Sequence, residues 1–436
     1  MAECILNALE AESAVSNLAT FQLKEVGNSR WTRQHEWLQK LNVQAHLNAT
    51  SRGDEYVMEA LVSHDKIPVL IHELILMEVY KAKVFPLAKN DLCQSDNDVK
   101  AYLLMYNEAV ICNLLEITLY HKTACAAAGD VLVDLADYLY RKIIKLDQKL
   151  ADDAYEGGVA SKKVLDKTRE QVLNDNWNTI EFNVCMSALS ILRFLTDNIQ
   201  AIPLSVLTRL LQVHDIICAL VPLVERPPWL RREKGGKLLC FEDGNWRSVA
   251  AEERGRVTKP QAQVWLALHN LLCDPECTQR YRYDSFRKST VLRLKSHLHE
   301  TLLDQIPPLT QLQRSLEYLT MMDPPEAAKN NVFVLEQIPE IADRILKNVD
   351  LGEVLEYQRK HVINQDPETR RQDMARLAEA YTLGVEEGAN LCAVCGKLAP
   401  TRCSRCKQER YCTRECQIKG WPKHKPLCSI RAAAAS

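Results

Sequence analysis

One stretch limits what this chain can fold into more than any other: Cys392 to Cys428, CAVCGKLAPTRCSRCKQERYCTRECQIKGWPKHKPLC. It holds seven of the sixteen cysteines, spaced as Cys392-x2-Cys395, Cys403-x2-Cys406, Cys412-x3-Cys416 and His424-x3-Cys428. Eight donors of this kind suffice for two tetrahedral Zn²⁺ sites. A C-x2-C pair fits one tight knuckle, and an x3 spacing sets two ligands one helical turn apart on a common face. A segment this short lies below the size that folds on apolar burial alone, so bound metal must supply much of its folding free energy. Sites closed by four protein ligands hold shape and leave no position for a substrate. Spacing does not fix which pairs share an ion, because sequential and interleaved pairings both satisfy the ligand count. The other nine cysteines are scattered singly; Cys112, Cys185 and Cys218 sit in apolar stretches and read as small core residues. Such clustering in one segment is the pattern of metal ligation rather than of disulfide cross-linking.

Ahead of this segment, apolar residues recur at helical spacing. Val69, Leu70, Leu74, Met77 and Tyr80 form one broad face in KIPVLIHELILMEVYKAKVFP. Residues 108–121, 130–146, 182–199 and 203–225 repeat the theme, and QVWLALHNLL at 263–272 is similar to the inner helix of armadillo repeats. With 47% hydrophobic but only 6% aromatic residues and 14 glycines in 436, aliphatic helix packing is favoured over a β-sandwich. HDKIPVLIHELI from His64 and HDIICALVPLVE from His214 share a His-Asp followed by an apolar run, a weak internal repeat. The expected fold is mostly α: an irregular armadillo/HEAT-like helical solenoid over residues 1–350, with loops near 152–163, 229–253 and 321–331. A hairpin-like insertion is expected in the second loop, around Asp243-Gly244-Asn245. A helical linker at 351–391, opened by Asp366-Pro367-Glu368, leads to the two-zinc finger at 392–428 and a tail at 429–436.

Several functions are disfavoured. A net charge of -2 gives no whole-molecule reason to bind nucleic acid or an anionic membrane. The many Lys and Arg of the cysteine run are partly offset by thiolate charge. The first residues carry Glu3, Glu10 and Glu12 where an export signal needs positive charge, and no membrane span is expected. Phosphate-binding glycine loops and nucleophile elbows are missing from the sequence. HELIL at His72 and HETLL at His299 begin like a zinc-protease helix without its second His, so Glu73 and Glu300 are expected as surface carboxylates.

The cysteine run, ending YC…ECQIKGWPKHKPLC, resembles a MYND-type zinc finger at all eight ligand positions. A RING finger, the nearest alternative, needs a longer second loop and a central His. The resemblance implies interleaved sites: Cys392, Cys395, Cys412 and Cys416 on one zinc, Cys403, Cys406, His424 and Cys428 on the other. It also implies a groove for proline-rich peptides at Ser404, Gln417 and Trp421, with Trp421 either a ledge of that groove or part of the finger's mini-core. MYND fingers also interrupt SET-type lysine methyltransferases, but no Gly-rich cofactor-binding stretch or β-rich region flanks this one.

Along its length, in RWTRQHEWLQKLN (residues 30–42), HDKIPVLIHELI, ETLLDQIP and VLEQIPEI, the chain resembles the MYND-finger factors that preassemble inner and outer dynein arms for motile cilia. That likeness implies a non-enzymatic adaptor between dynein chains, a leucine-rich-repeat assembly factor, and immunophilin and heat-shock chaperones. It implies a cytoplasmic location, at centriolar satellites or dynein-assembly foci. A transcriptional co-regulator that recruits partners through the MYND groove is the rival expectation; it would want a DNA-binding module or a basic localisation run, and the longest runs are pairs such as Arg231-Arg232.

Overall fold

The computed structural model of the chain describes residues 5–51, 53–94, 98–151, 169–232, 237–242, 244–253, 255–322, 340–382, 392–395, 399, 401–407 and 409–434. The expected loops at 152–163 and 321–331 fall outside these residues, save positions 321 and 322. The described residues are mostly helical and divide into two compact units.

The first unit gathers three stretches of chain: residues 1–117, 156–181 and 339–436. Its first helix, Ala8–Ser16, is opened by a capping box in which Asn7 and Glu10 satisfy each other's backbone N–H groups, and it packs on Tyr56–Ser63. Ile67–Val79 is the central helix, with Pro68 in its first turn, where no N–H is needed. It buries Ile67, Leu70, Ile71, Leu74, Ile75, Leu76 and Met77, so its apolar residues surround the whole cylinder rather than one stripe.

Glu73 lies in the same helix and is a correction to the sequence reading: it is 2% exposed, not a surface carboxylate. Its Oε1 accepts the N–H of Phe21 at 2.8 Å and lies 3.1 Å from Nδ1 of His72. The Phe21 N–H belongs to an irregular connection without a helical acceptor, and the Glu73 carboxyl gives that buried donor the partner it needs, while burial raises the pKa of the carboxyl. Glu300 is exposed, as expected.

A π-helical turn, Tyr80–Val84, follows and brings Lys81 inward. Its ammonium lies 2.5 Å from Glu108 and 2.6 Å from Glu181, over the Trp177 ring at 4.8 Å. Such a buried cluster stands only because each charge has close partners.

The C-terminal stretch completes this unit. Leu351–Gln358 sends Gln358 into the core, where its amide N–H groups donate to the carbonyls of Lys24 and Val26 and its oxygen accepts from Tyr80 Oη. Pro367–Thr382 starts where Asp366 accepts the N–H groups of Glu368 and Thr369, and it lies against Ser29–Ser51. Between these two helices Lys100 Nζ donates to Val362 O and Gln365 Oε1, while Ser29 and Gln365 both donate to Asp373 Oδ2.

The second unit comprises residues 118–155 and 182–338. Leu132–Ala151, Ile216–Glu225, Lys259–Cys273 and Leu309–Met321 are its principal helices, and Ile216–Glu225 contacts both Leu132–Ala151 and Lys259–Cys273. Where a hairpin-like insertion is expected, three antiparallel strands form: β1 (Leu230–Arg232), β2 (Leu238–Glu242) and β3 (Asn245–Ser248). Phe241 pairs with Trp246 across β2 and β3, and Phe182 closes the cluster with ring centroids 4.8 Å from Phe241. Asp137 binds Arg209 through two hydrogen bonds of 2.5 and 2.7 Å and also meets His214. Salt-bridge partners of this quality hold its carboxyl at about 2 despite the opposing effect of burial.

Each unit contains one copy of the His-Asp element. Asp65 (φ 50°) and Asp215 (φ 47°) both adopt the left-handed conformation, which Asp tolerates better than most residues, at the start of an apolar helix. Among the described residues one helix, Glu170–Asp197, is long and apolar enough to cross a membrane, and 67% of its apolar window is buried inside the protein, as in the core helix of a globular protein.

Candidate metal centre

The finger is built from two short strands and one long helix. β4 (Thr401–Arg402) pairs antiparallel with β5 (Arg410–Tyr411), and Arg414–Ala434 forms the helix. Cys403 and Cys406 lie on the knuckle after β4, where Cys403 N–H donates to Glu409 O at 2.8 Å and Lys407 N–H to Cys403 O at 2.9 Å. Ala393 N–H donates to Arg410 O, tying the first knuckle to β5. Cys416, His424 and Cys428 share the helix, so the x3 spacing after His424 does set its two ligands a turn apart. The helix runs on to Ala434, with Pro422 and Pro426 inside it.

The donor atoms of Cys392, Cys395, Cys412 and Cys416 lie within 4.8 Å of one another, as do those of Cys403, Cys406, His424 and Cys428. These are the two sets that interleaved pairing implies. Sulfur separations are 3.3 Å for Cys395–Cys412, 3.6 Å for Cys412–Cys416 and 3.7 Å for Cys403–Cys428, and Cys406 Sγ lies 3.4 Å from His424 Nε2. Ligands about 2.3 Å from a tetrahedral Zn²⁺ sit at such mutual distances. Nδ1 of His424 faces the Glu409 carboxylate at 3.8 Å, which leaves Nε2 for the metal. Donor type, number and convergence all fit two structural zinc ions, and with four protein ligands each site is closed.

The thiols are graded in acidity. Burial opposes ionisation of Cys392, but backbone N–H groups at Cys412, Val394 and Cys395 outweigh it and bring the thiol to about 6. Cys412 is pushed up to about 12 by its hydrogen bond with Cys395, followed by burial. A bound divalent cation favours the thiolate form of all four ligands.

Cys392, Ala399, Cys403, Cys406, Tyr411 and Cys428 form the finger's small core, and Trp421 packs on it half-buried, its ring 5.7 Å from that of His424. Trp421 therefore contributes to the mini-core while keeping part of its surface in solvent. Gln417 is half-buried one turn earlier on the same helix, and Ser404 is exposed on the second knuckle. Three contributors were not singled out from sequence. Tyr411 fills the core from β5, Glu409 faces the ligand His, and Gly420 admits the Tyr411 ring; a Cβ there would stand 2.9 Å from Tyr411 Cε1 and 3.0 Å from Val394 Cγ2. The aromatic just before Cys412 and the glycine just before Trp421 were the available signals.

Two closed, interleaved zinc sites on a strand pair and one helix are the arrangement of a MYND-type zinc finger, and residues 392–428 match the MYND finger family. Over 95% of its length the chain is similar to the zinc finger MYND domain-containing protein 10 homolog of Drosophila melanogaster, at 29% identity and covering 96% of that protein. Shorter similarities reach programmed cell death protein 2 of Rattus norvegicus, 50% identical over 12% of this chain and 15% of that one. N-lysine methyltransferase SMYD2 of Homo sapiens is 48% identical over 12% of each chain. The methyltransferase likeness covers only 54 residues. No solved structure matches the chain.

Proposed function

We propose that this protein is a non-enzymatic adaptor for cytoplasmic preassembly of axonemal inner and outer dynein arms. In this reading the helical units, of armadillo/HEAT-like character, present client surface. The finger recruits a leucine-rich-repeat assembly factor together with immunophilin and heat-shock chaperones, through Ser404, Gln417 and Trp421. The protein acts in the cytoplasm, at satellites or assembly foci. The observation that carries an adaptor reading is the finger itself: two metal sites closed by four protein ligands each, with no coordination position for a substrate, beside a half-exposed Trp421. Similarity to a MYND-finger protein over 95% of the chain supports the assignment of the whole molecule to one role rather than of the finger alone.

The test is a pull-down from ciliating cells with the full chain, Trp421→Ala and Cys403→Ser, with zinc counted in each purified variant. Trp421→Ala is expected to keep two ions and lose one partner. Cys403→Ser is expected to lose one ion and every finger-dependent partner. Recovery of chaperones and dynein chains by Cys403→Ser at wild-type levels rejects the finger as the recruiting element.

A further inference from the structure

The hairpin that frames the second knuckle is crowded with positive charge. Arg402 on β4 stands directly opposite Arg410 on β5, and Arg405 and Lys407 lie in the turn between them. Like charges across an antiparallel pair oppose the pairing, so the fold bears a cost here that zinc ligation does not require. Arg402, Arg405 and Lys407 are exposed and Arg410 is half-buried. Lys407 holds a left-handed conformation (φ 57°), uncommon for a side chain of this size.

Local compensation is incomplete. Glu409 is the hairpin's one carboxyl residue, and it faces His424. Among the described residues none of the four cations makes an ion pair, and Arg410 donates instead to the Ala399 carbonyl. One Zn²⁺ with three thiolates carries −1, so four cations less Glu409 and less the metal site leave +2 on the hairpin. Residues 392–428 hold nine Lys and Arg against two Glu; subtracting these from 55 and 57 leaves 46 against 55, so the rest of the chain is −9. Screening confines charge attraction to about 8 Å at physiological salt, so a local excess of +2 in a chain otherwise negative matches a short acidic segment rather than an extended polyanion or a membrane surface.

We propose that the β4–β5 hairpin is a docking surface for an acidic segment of a protein partner, whose carboxylates engage the Arg402–Arg410 pair and Arg405. Guanidinium groups suit this because each can hold a carboxylate through two parallel hydrogen bonds. The proposal rests on the finger being a protein-interaction module, as read above, and is independent of the Trp421 groove.

Fluorescence anisotropy on the zinc-loaded full chain tests it, with a labelled Glu-rich peptide, its Gln counterpart and a single-stranded DNA of equal charge. The Glu peptide is expected to bind about tenfold tighter than either, and Arg402→Gln/Arg410→Gln to abolish that preference with two zinc ions retained. Arg405→Gln, exposed on the knuckle and outside the strands, is expected to weaken binding in the same direction should the double variant lose metal. Arg414→Gln/Lys419→Gln, on the helix, is expected to leave it unchanged. Tighter binding of the DNA, equal binding of the Gln peptide, or equal loss in the helix variant overturns the proposal. If Trp421→Ala loses its cellular partner while the hairpin variant binds the Glu peptide as the wild type does, the groove stands and the acidic dock falls.

Discussion

At the scale of single residues, the finger is decided by atoms that are absent as much as by those present. Gly420 lies inside the helix Arg414–Ala434, and alanine in a helix interior is normally better than glycine by about 1 kcal/mol. Here the added methyl meets the Tyr411 ring, which is held in the mini-core and cannot swing away, whereas Val394 is exposed and can yield. Overpacking of this kind costs about 1–3 kcal/mol, so Gly420→Ala is expected to weaken the finger despite the gain in propensity. Chelator competition checks this: the variant should release zinc at lower chelator concentration than the wild type, and an unchanged release curve refutes the contact. The eight ligands were legible because thiolate spacing is a local property. Glu73 was not, since its burial answers the Phe21 N–H, 52 residues away in sequence.

Among the elements, Pro367–Thr382 shows how far a local signal reaches. Its start at Asp366-Pro367-Glu368 could be read from the cap alone, yet its seat on Ser29–Ser51 depends on Ser29, Lys100, Gln365 and Asp373, which only the fold brings together. Burial lowers the Lys100 ammonium to about 8, against a smaller opposing pull from Asp373. Between pH 8 and about 10.5 the unfolded chain therefore holds a proton that the folded chain has released, and stability rises with pH across that interval. Below it the buried charge costs about 3 kcal/mol relative to the neutral amine. Denaturant unfolding at several pH values in that window should show the rise in the wild type and its loss in Lys100→Met. Parallel curves for the two proteins would rule out Lys100 as the source. Turn chemistry around Gly244, at φ 75°, and the Gly235-Gly236 pair that separates β1 from β2 in sequence likewise announced strands, whereas their register required the fold.

For the molecule as a whole, metal and apolar burial do separate jobs. The helices that precede the finger bury a large aliphatic core, and among the described residues the metal-ligand clusters all lie within residues 392–428, where the core is six small or aromatic residues, four of them ligands. Chelation of zinc is accordingly expected to expose the Lys and Arg of residues 402–425 to trypsin while leaving most of the helical circular dichroism in place. Loss of the bulk of the helical signal on chelation would contradict this division. The repeated His-Asp element was visible as a pattern in sequence, and its meaning, a left-handed Asp starting one apolar helix in each unit, required the backbone.

The first unit draws Gln358, Gln365 and Asp373 back onto residues laid down more than 250 positions earlier. During translation, the ribosome has released almost the entire polypeptide before Lys24, Val26 and Ser29 meet these partners. A premature stop codon anywhere before position 358 thus strips hydrogen-bond acceptors and donors from the amino-terminal helices, and the nascent product reaches cellular quality control with that half unfinished.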